Sequence, residues 1–187
     1  MKKYVIIAGA NGAGKSTFYA TAEDDFESIE KVNFDEIVRS IGNWTNASDR
    51  VKAVRVVVEK IDKMFSERCS FSQETTLCVK SIRNNIHKAI ELGYFLELHY
   101  IGLDSPDMAK NRVKQRVDQG GHGISDTDIE RRYYESLQNL KKVLPLSDIV
   151  TIYDNTHKLT MIAVFCKGEC VWSSKTKPQW YIDLGIG

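Results

Sequence analysis

The segment Gly9–Ser16 constrains the fold most strongly, because its sequence GANGAGKS fits the pattern G-x-x-x-x-G-K-S. It follows an apolar run at residues 4–8, which predicts a strand buried on both faces, and it precedes a predicted helix at residues 15–22. In this setting glycines allow a tight turn whose backbone N–H groups point at phosphate oxygens, and the next helix presents its positive end. The segment therefore predicts a phosphate-binding P-loop, and a chance glycine-rich turn is the less favoured interpretation.

Two side chains of the loop carry specific roles in such sites. Lys15 would neutralise the β- and γ-phosphates of ATP, and the Ser16 hydroxyl would ligate Mg²⁺, so ATP and Mg²⁺ are the predicted cofactors. The loop alone fits kinases, GTPases and ATP-driven motors alike. The predicted nucleotide-binding residues of the loop are Gly9, Ala10, Asn11, Gly12, Ala13, Gly14, Lys15, Ser16 and Thr17.

The rest of the chain alternates strand and helix signals. This alternation predicts an α/β fold with three layers and a mainly parallel sheet, of the P-loop NTPase and kinase type. A chain of 187 residues with 42% hydrophobic residues fits one domain, residues 1–187. We expect a long amphipathic helix at residues 49–68, a flexible lid at about 117–132 and an antiparallel hairpin at 159–173. The tail at 175–187 is aromatic and shows no clear period.

Composition excludes some classes of function. The 26 basic and 25 acidic residues leave a net charge of +1, which argues against nucleic acid as a partner. No apolar segment is long enough to cross a membrane, and the apolar run at the N-terminus is too short for a signal peptide. A cytoplasmic setting is therefore expected. Cys166 and Cys170 could face each other across the hairpin, but a zinc site lacks a second pair of ligands, so ordinary strand residues are favoured.

Acidic and polar residues follow two of the predicted strands, where the carboxyl ends of a parallel sheet face the ligand crevice. Asp35 could accept a proton from an attacking hydroxyl or hold Mg²⁺ through water, and the alternative interpretation is a helix N-cap. Glu74, at the end of a strand predicted at 69–73, would point into the same crevice, although a capped loop is the alternative. The run before Glu74 lacks the four apolar residues typical of a motor ATPase. The predicted acceptor-binding residues are Asn33, Asp35, Glu74, Thr75 and Thr76.

Arginines flank the glycine-rich segment at residues 120–123. Arg112 and Arg116 lie one helical turn apart, and Arg131 and Arg132 follow the segment. A planar guanidinium suits the spreading charge of a phosphoryl-transfer transition state, and a closing lid would exclude water. We predict catalytic roles for Arg116 and for Arg131 or Arg132, with a solvated helix face as the alternative.

Three further residues have weaker signals. Arg112 is assigned to the nucleotide, with a solvated helix face as the alternative. Asn155 follows the last predicted parallel strand, where nucleoside kinases commonly contact adenine or ribose, and it is also assigned to the nucleotide. His122 could touch phosphate or substrate, but a histidine in a loop is more often incidental.

Taken together, these segments resemble the zeta-toxin-like family of P-loop kinases, and in particular a short bacterial subgroup described as predicted ATPases. The resemblance covers about residues 3–157. It is carried by the segments 9–17, 32–37, 71–77, 93–94, 112–117, 120–122, 131–133 and 153–155.

The resemblance implies a P-loop kinase fold and phosphorylation of a hydroxyl, which in the better-studied toxins belongs to UDP-N-acetylglucosamine. It implies that Asp35 is the base, that Glu74 with Thr76 contacts substrate, and that Arg116 and either Arg131 or Arg132 act from the lid. It also implies a possible partner, a small helical antitoxin that blocks the nucleotide site. The chain is shorter than the known toxins, and its Gly-His lid and Arg-Arg-Tyr run are those of the subgroup.

The leading hypothesis is an ATP-dependent kinase that phosphorylates a hydroxyl of a small molecule. The alternative is a nucleotide-dependent ATPase switch that regulates a protein partner and has no small acceptor. A kinase of nucleic-acid ends is disfavoured, because binding a phosphate backbone needs clustered Lys and Arg.

Overall fold

A seven-stranded sheet forms the centre of the fold in the computed structural model, which describes residues 1–22, 26 and 29–186. The strand order is β2-β3-β1-β4-β5-β6-β7, in which β1 to β5 pair in parallel and β6 and β7 are antiparallel. The mixed α/β fold with a mainly parallel sheet is thus confirmed. The strands are β1 (Lys3–Ala8), β2 (Glu30–Val32), β3 (Phe71–Thr75), β4 (Phe95–Gly102), β5 (Ile149–Asp154), β6 (Thr160–Cys166) and β7 (Glu169–Ser173).

Helices connect the parallel strands and cover both faces of the sheet. The helices among the described residues are α1 (Lys15–Thr21), α2 (Phe34–Ile41), α3 (Ala47–Ser66), α4 (Lys80–Glu91), α5 (Pro106–Asp118), α6 (Asp126–Val143) and α7 (Gln179–Leu184), with a 3₁₀ turn at Leu144–Leu146. Ser105 caps α5 through its hydroxyl, and Pro106 takes the first helical position, as the sequence predicts.

The central strand β1 is buried on both of its faces. Tyr4 and Ile6 belong to one apolar cluster with α3 and α4, whereas Val5 and Ile7 belong to a second cluster with α1 and α5. The loop that follows β1 is therefore anchored between two packed layers, which fixes its position at the carboxyl edge of the sheet.

Two element boundaries differ from the sequence prediction. Strand β3 begins at Phe71 rather than at residue 69, because Arg68 has a φ of +55° and the Cys69 N–H closes the end of α3 onto the Met64 carbonyl. Glu74 is consequently the fourth residue of β3 rather than a residue beyond it. The long helix begins at Ala47, since the Asn46 side chain caps it by accepting from the Ser48 N–H.

The tail at residues 175–187 contains a short helix, α7, that the sequence does not predict. Gly187, the last residue of the tail, lies outside the described residues. Within α7, Trp180 is 5% exposed and lies against Gly102, where an added Cβ would come 2.2 Å from the indole ring. The indole Nε1 donates to Asp154 Oδ1 over 2.9 Å. Helix α7 is therefore fixed to the ends of β4 and β5.

The hairpin forms as predicted, but its cysteines do not pair across it. Cys166 stands opposite Glu169 and Cys170 stands opposite Phe165, and both thiols are free. In the described ranges, no group of three or more His, Cys, Asp and Glu side chains is arranged to hold a metal ion. None of the helices in the part of the chain described here combines the length and apolarity needed to span a bilayer.

Replacing Trp180 by alanine should destabilise the fold, because it removes a buried indole and the hydrogen bond to Asp154. We expect a loss of about 3–5 kcal/mol in the free energy of unfolding, measured by urea denaturation. The control is Trp172→Ala, because Trp172 is 45% exposed on β7 and should cost about 1 kcal/mol or less. Equal losses in the two variants would contradict the packing described for α7.

Candidate functional site

The loop between β1 and α1 adopts backbone conformations that only glycine accepts readily. Gly9 has a φ of +144° and Gly14 a φ of +94°. An added Cβ would also come 2.2 Å from the Ile101 carbonyl at Gly9 and 2.4 Å from Asn155 Nδ2 at Gly14. Gly14 is the N-cap of α1 and supplies no side-chain cap, so the first N–H groups of the helix are left for another acceptor. This is the geometry of a phosphate cradle.

Lys15 is buried inside the loop that it terminates. Its ammonium donates to the carbonyls of Gly9 and Ala10, each over 3.0 Å. Burial lowers the pKa of Lys15, while the carboxylates of Glu74 and Asp35 oppose this shift and the cation of Arg116 adds to it. Glu74, Asp35 and Arg116 are therefore the charged groups that act most on the Lys15 ammonium.

Glu74 connects the tips of three neighbouring strands. The Ser16 hydroxyl lies 3.2 and 3.3 Å from its two carboxylate oxygens, and Asn33 Nδ2 donates to it over 2.7 Å. The predicted metal-ligating hydroxyl and the predicted acceptor-site acid are thus in direct contact. A hydroxyl and a carboxylate are the hard oxygen donors that Mg²⁺ prefers, usually together with phosphates and water.

The N-cap of α2 is Asn33, not Asp35. Asn33 Oδ1 accepts from the backbone N–H groups of Asp35 and Glu36 over 2.8 and 3.2 Å. The alternative interpretation of Asp35 as a helix cap is therefore wrong, and Asn33 has a capping role that the sequence analysis did not assign. The Asp35 carboxylate is 33% exposed, and its Oδ2 lies 3.4 Å from His122 Nε2.

The segment between α5 and α6 reaches back over this carboxylate. Arg116 Nη2 donates to the His122 carbonyl over 2.9 Å, and the Gly121 N–H donates to the Arg116 carbonyl. The His122 ring stacks on Trp44, with 3.8 Å between ring centroids and 4° between planes. Trp44 was not predicted as a site residue, because its only signal is an aromatic residue inside the turn-rich segment GNWTN between two helices.

Arg112 and Asn155 hold the phosphate-binding loop from its outer side. Asn155 Nδ2 donates to the Ala13 carbonyl over 2.9 Å. Arg112 Nη2 donates to the backbone carbonyls of Asn155 and Thr156 over 2.7 and 2.9 Å. Both residues were predicted to contact nucleotide directly. The structure shows a further role, in which Asn155 supports the loop backbone at Ala13 and Arg112 holds the backbone of Asn155.

Arg131, Arg132 and Thr75, which were also predicted as site residues, form contacts with neighbouring parts of the protein. Arg131 is half exposed and forms ion pairs with Asp128 and Glu135 on its own helix, so its guanidinium is not directed to the cleft. Arg132 lies beside Cys78, whose thiol donates to the Arg132 carbonyl. The buried Thr75 hydroxyl accepts from the Leu77 N–H.

The other predicted loop residues and Thr76 differ in how far they are buried around the cleft. Ala10 and Ala13 pack into the core, and Thr76 is half-buried beyond β3. Thr17 is exposed on α1, whereas Asn11 Oδ1 is buried and has no hydrogen-bond partner in the ranges described.

Comparison with known proteins identifies a family. The sequence model of the zeta toxin family matches residues 1–164, which is most of the chain. An uncharacterized protein of Haemophilus influenzae is 28% identical over 131 residues, covering 70% of this chain and 92% of that protein.

Solved structures share the fold at low sequence identity. The PezAT chromosomal toxin–antitoxin structure of Streptococcus pneumoniae gives a TM-score of 0.64 at 16% identity, covering 98% of this chain and 76% of that one. The structure of AvrRxo1-ORF1:-ORF2 with ATP gives a TM-score of 0.70 at 14% identity, covering 100% of this chain and 63% of that one.

Replacing Lys15 by alanine should weaken the binding of Mg·ATP by at least about tenfold, because a charge-assisted contact to phosphate is lost. Calorimetric titration measures the affinity directly. The control is Lys114→Ala, an exposed lysine on α5 that contacts no residue of the cleft in the described structure. Equal affinity in the Lys15 variant and the unmodified protein would contradict the assignment of the loop.

Proposed function

We propose that this chain, which belongs to the zeta toxin family, transfers the γ-phosphate of ATP to a hydroxyl of a small molecule. The observation that carries the proposal is the placement of three groups at the carboxyl edge of the sheet: Lys15 buried in the loop, Glu74 on the adjacent Ser16 hydroxyl, and Asp35 at the start of the neighbouring helix. A phosphate cradle and a carboxylate not committed to a helix cap are the two parts that phosphoryl transfer to a hydroxyl needs.

In the proposed reaction, Asp35 accepts the proton of the acceptor hydroxyl. The hydroxyl oxygen forms a bond to the γ-phosphorus, while the bond from that phosphorus to the β–γ bridging oxygen breaks. The electron pair of the broken bond leaves with ADP. A base held in hydrogen-bond reach of the hydroxyl contributes typically about 10²- to 10⁴-fold to the rate.

Charge on the phosphates would be balanced by side chains that already lie in the cleft. Lys15 would meet the β- and γ-phosphates, and Arg116, which lies at the end of α5 and donates to the His122 carbonyl, is the arginine proposed to approach them. Ser16 and Glu74 would hold Mg²⁺, which would supply charge neutralisation at the phosphate oxygens. Arg132 is the weaker candidate for a second arginine, and Arg131 is disfavoured by its ion pairs.

The acceptor is proposed to be a polar small molecule such as a nucleotide sugar, with UDP-N-acetylglucosamine as the first compound to test. This choice rests on the family resemblance. Asn33, which donates to Glu74, and Thr75 and Thr76, which follow Glu74 in the chain, would provide hydrogen bonds to an acceptor of this kind.

A helical antitoxin is proposed as the protein partner. The PezAT structure is described as a toxin–antitoxin system, and AvrRxo1-ORF1 is described in complex with ORF2, and both share the fold of this chain. A partner that covers the nucleotide site would compete with Mg·ATP. Adding Mg·ATP should then weaken the complex in a binding titration, and an unchanged affinity would argue for a different docking surface.

One observation favours the alternative of an ATPase switch. The Glu74 carboxylate contacts the Ser16 hydroxyl, which is where an ATPase keeps the acid that serves its Mg²⁺. The two functions differ in the fate of the phosphate. A kinase retains the label of γ-labelled ATP on one small molecule of a cell extract, whereas a switch releases it as inorganic phosphate when a protein partner is added.

Replacing Asp35 by asparagine should reduce transfer from γ-labelled ATP to the acceptor by roughly 10²-fold or more, because the amide cannot take the proton. The affinity for Mg·ATP should change much less. The matched control is Glu36→Gln on the next residue of α2, an exposed acid paired with Lys31 whose loss should leave transfer unchanged.

The proposed base is wrong if Asp35→Asn transfers label at the unmodified rate. The proposed kinase activity is wrong if the unmodified protein binds Mg·ATP but labels no small molecule in metabolite extracts.

A further inference from the structure

His122 is seated directly over the proposed base. Its Nε2 lies 3.4 Å from Asp35 Oδ2, and its side chain is only 7% exposed although it belongs to an irregular segment. A histidine in a loop is usually solvated. Here the side chain is enclosed between the lid and α2, so the contact with Asp35 is part of a packed arrangement.

An aromatic stack fixes the plane of the imidazole. The ring lies parallel to the Trp44 indole with 3.8 Å between centroids, and Trp44 in turn meets Phe34 edge to face over 5.4 Å. The Trp44 carbonyl accepts from Arg50 at the start of α3. The Trp44 indole under His122 is therefore held by α2, through Phe34, and by α3, through Arg50.

The lid backbone holds His122 from the other side. Arg116 donates to the His122 carbonyl, and a turn closes from the Gly121 N–H to the Arg116 carbonyl. Gly120 provides the positive φ of +85° that this turn requires. The position of His122 is thus coupled to that of Arg116, the arginine proposed to approach the phosphates.

Burial favours the neutral form of His122. Burial lowers the pKa of His122, Asp35 opposes this shift, and Arg116 and Arg39 add to it. Because the carboxylate faces Nε2, we assign the single proton to Nε2; Nδ1 is buried and accepts no hydrogen bond in the described structure. A neutral N–H donor orients a carboxylate without cancelling its charge.

We propose that His122 is a positioning residue, which holds Asp35 Oδ2 when the lid is closed so that Oδ1 faces the acceptor hydroxyl. This inference rests on the proposed kinase activity. The stack on Trp44 sets the angle of the imidazole, and a hydrogen bond formed when the 3.4 Å contact of Nε2 with Oδ2 shortens on lid closure would pass that angle to the base. Closure of the lid and orientation of the base are then one event, so that the base is aligned when water is excluded.

Three variants test the aromatic ring of His122 and its Nε2–H donor separately. His122→Phe keeps a ring for the Trp44 stack and removes the N–H. His122→Gln keeps an N–H near the position of Nε2 and removes the ring, and His122→Ala removes both. His87→Phe on the exposed face of α4 is the control that should match the unmodified protein.

Two readouts are measured on each variant. Steady-state transfer from γ-labelled ATP gives kcat and KM, and hydrogen exchange of the amides at residues 119–125 reports how firmly the lid is held. His122→Phe should keep the lid protection and the KM for ATP but lose about 10- to 100-fold in kcat, as expected for a misplaced reacting group. His122→Gln should be faster than His122→Phe, and His122→Ala should lose both kcat and lid protection.

Two results would overturn the proposal. One is an unchanged kcat in His122→Phe, which would mean that the N–H donor has no role. The other is a His122→Gln variant no faster than His122→Phe, which would reduce His122 to a packing residue. If the unmodified protein transfers no label, the proposed kinase activity fails and this inference falls with it, whereas a defect confined to these comparisons leaves the kinase activity standing.

Discussion

The burial of one cation, the Lys15 ammonium, is the constraint on which the site depends. A buried charge is costly unless it is paired and hydrogen-bonded. Here the carbonyls of Gly9 and Ala10 supply the hydrogen bonds, and the carboxylates of Glu74 and Asp35 supply the opposite charge. Those partners come from the loop itself and from the tips of two further strands. The loop, the strand order and the helix that follows β2 therefore all bring groups that oppose the effect of burial on this side chain.

The two carboxylates share this task without being equivalent. Glu74 is held by Ser16 and Asn33, so it contacts the hydroxyl that is proposed to bind Mg²⁺. Asn33, and not Asp35, caps helix α2. The carboxylate oxygens of Asp35 therefore remain available to an acceptor and to the lid. One asparagine thus separates the roles of two acids, since its amide nitrogen binds one and its amide oxygen caps the helix that carries the other.

Local signals in the sequence predicted the parts of this fold that are encoded locally. The P-loop, the Ser105-Pro106 helix start and the hairpin turn at Lys167-Gly168 each depend on a few adjacent residues, and all three are confirmed. Helix α7 was not predictable from the sequence, because six residues are too few to show a helical pattern of apolar positions. Its stability comes from the packing of Trp180 on Gly102, which is distant in the chain.

The candidate site shows the same division. The acids at the strand tips follow from the rule that parallel strands end at one edge. Trp44 and His122 stack although they are 78 positions apart in the chain. Both lie in irregular segments, where the sequence has no hydrophobic periodicity or capping motif that would predict the course of the backbone. The support that Asn155 gives to Ala13 was equally hidden, because the sequence indicates only that Asn155 lies near the nucleotide and not which atoms it meets.

The docking of Trp180 has a thermodynamic consequence for a part of the molecule that it does not touch. Its partner Asp154 also accepts from the Thr156 hydroxyl, and the adjacent carbonyls receive Arg112 beside the Asn155 that holds Ala13. Coupling between two equilibria is reciprocal. If nucleotide binding strengthens the docking of α7 by some factor through this chain of contacts, the docking of α7 strengthens nucleotide binding by the same factor.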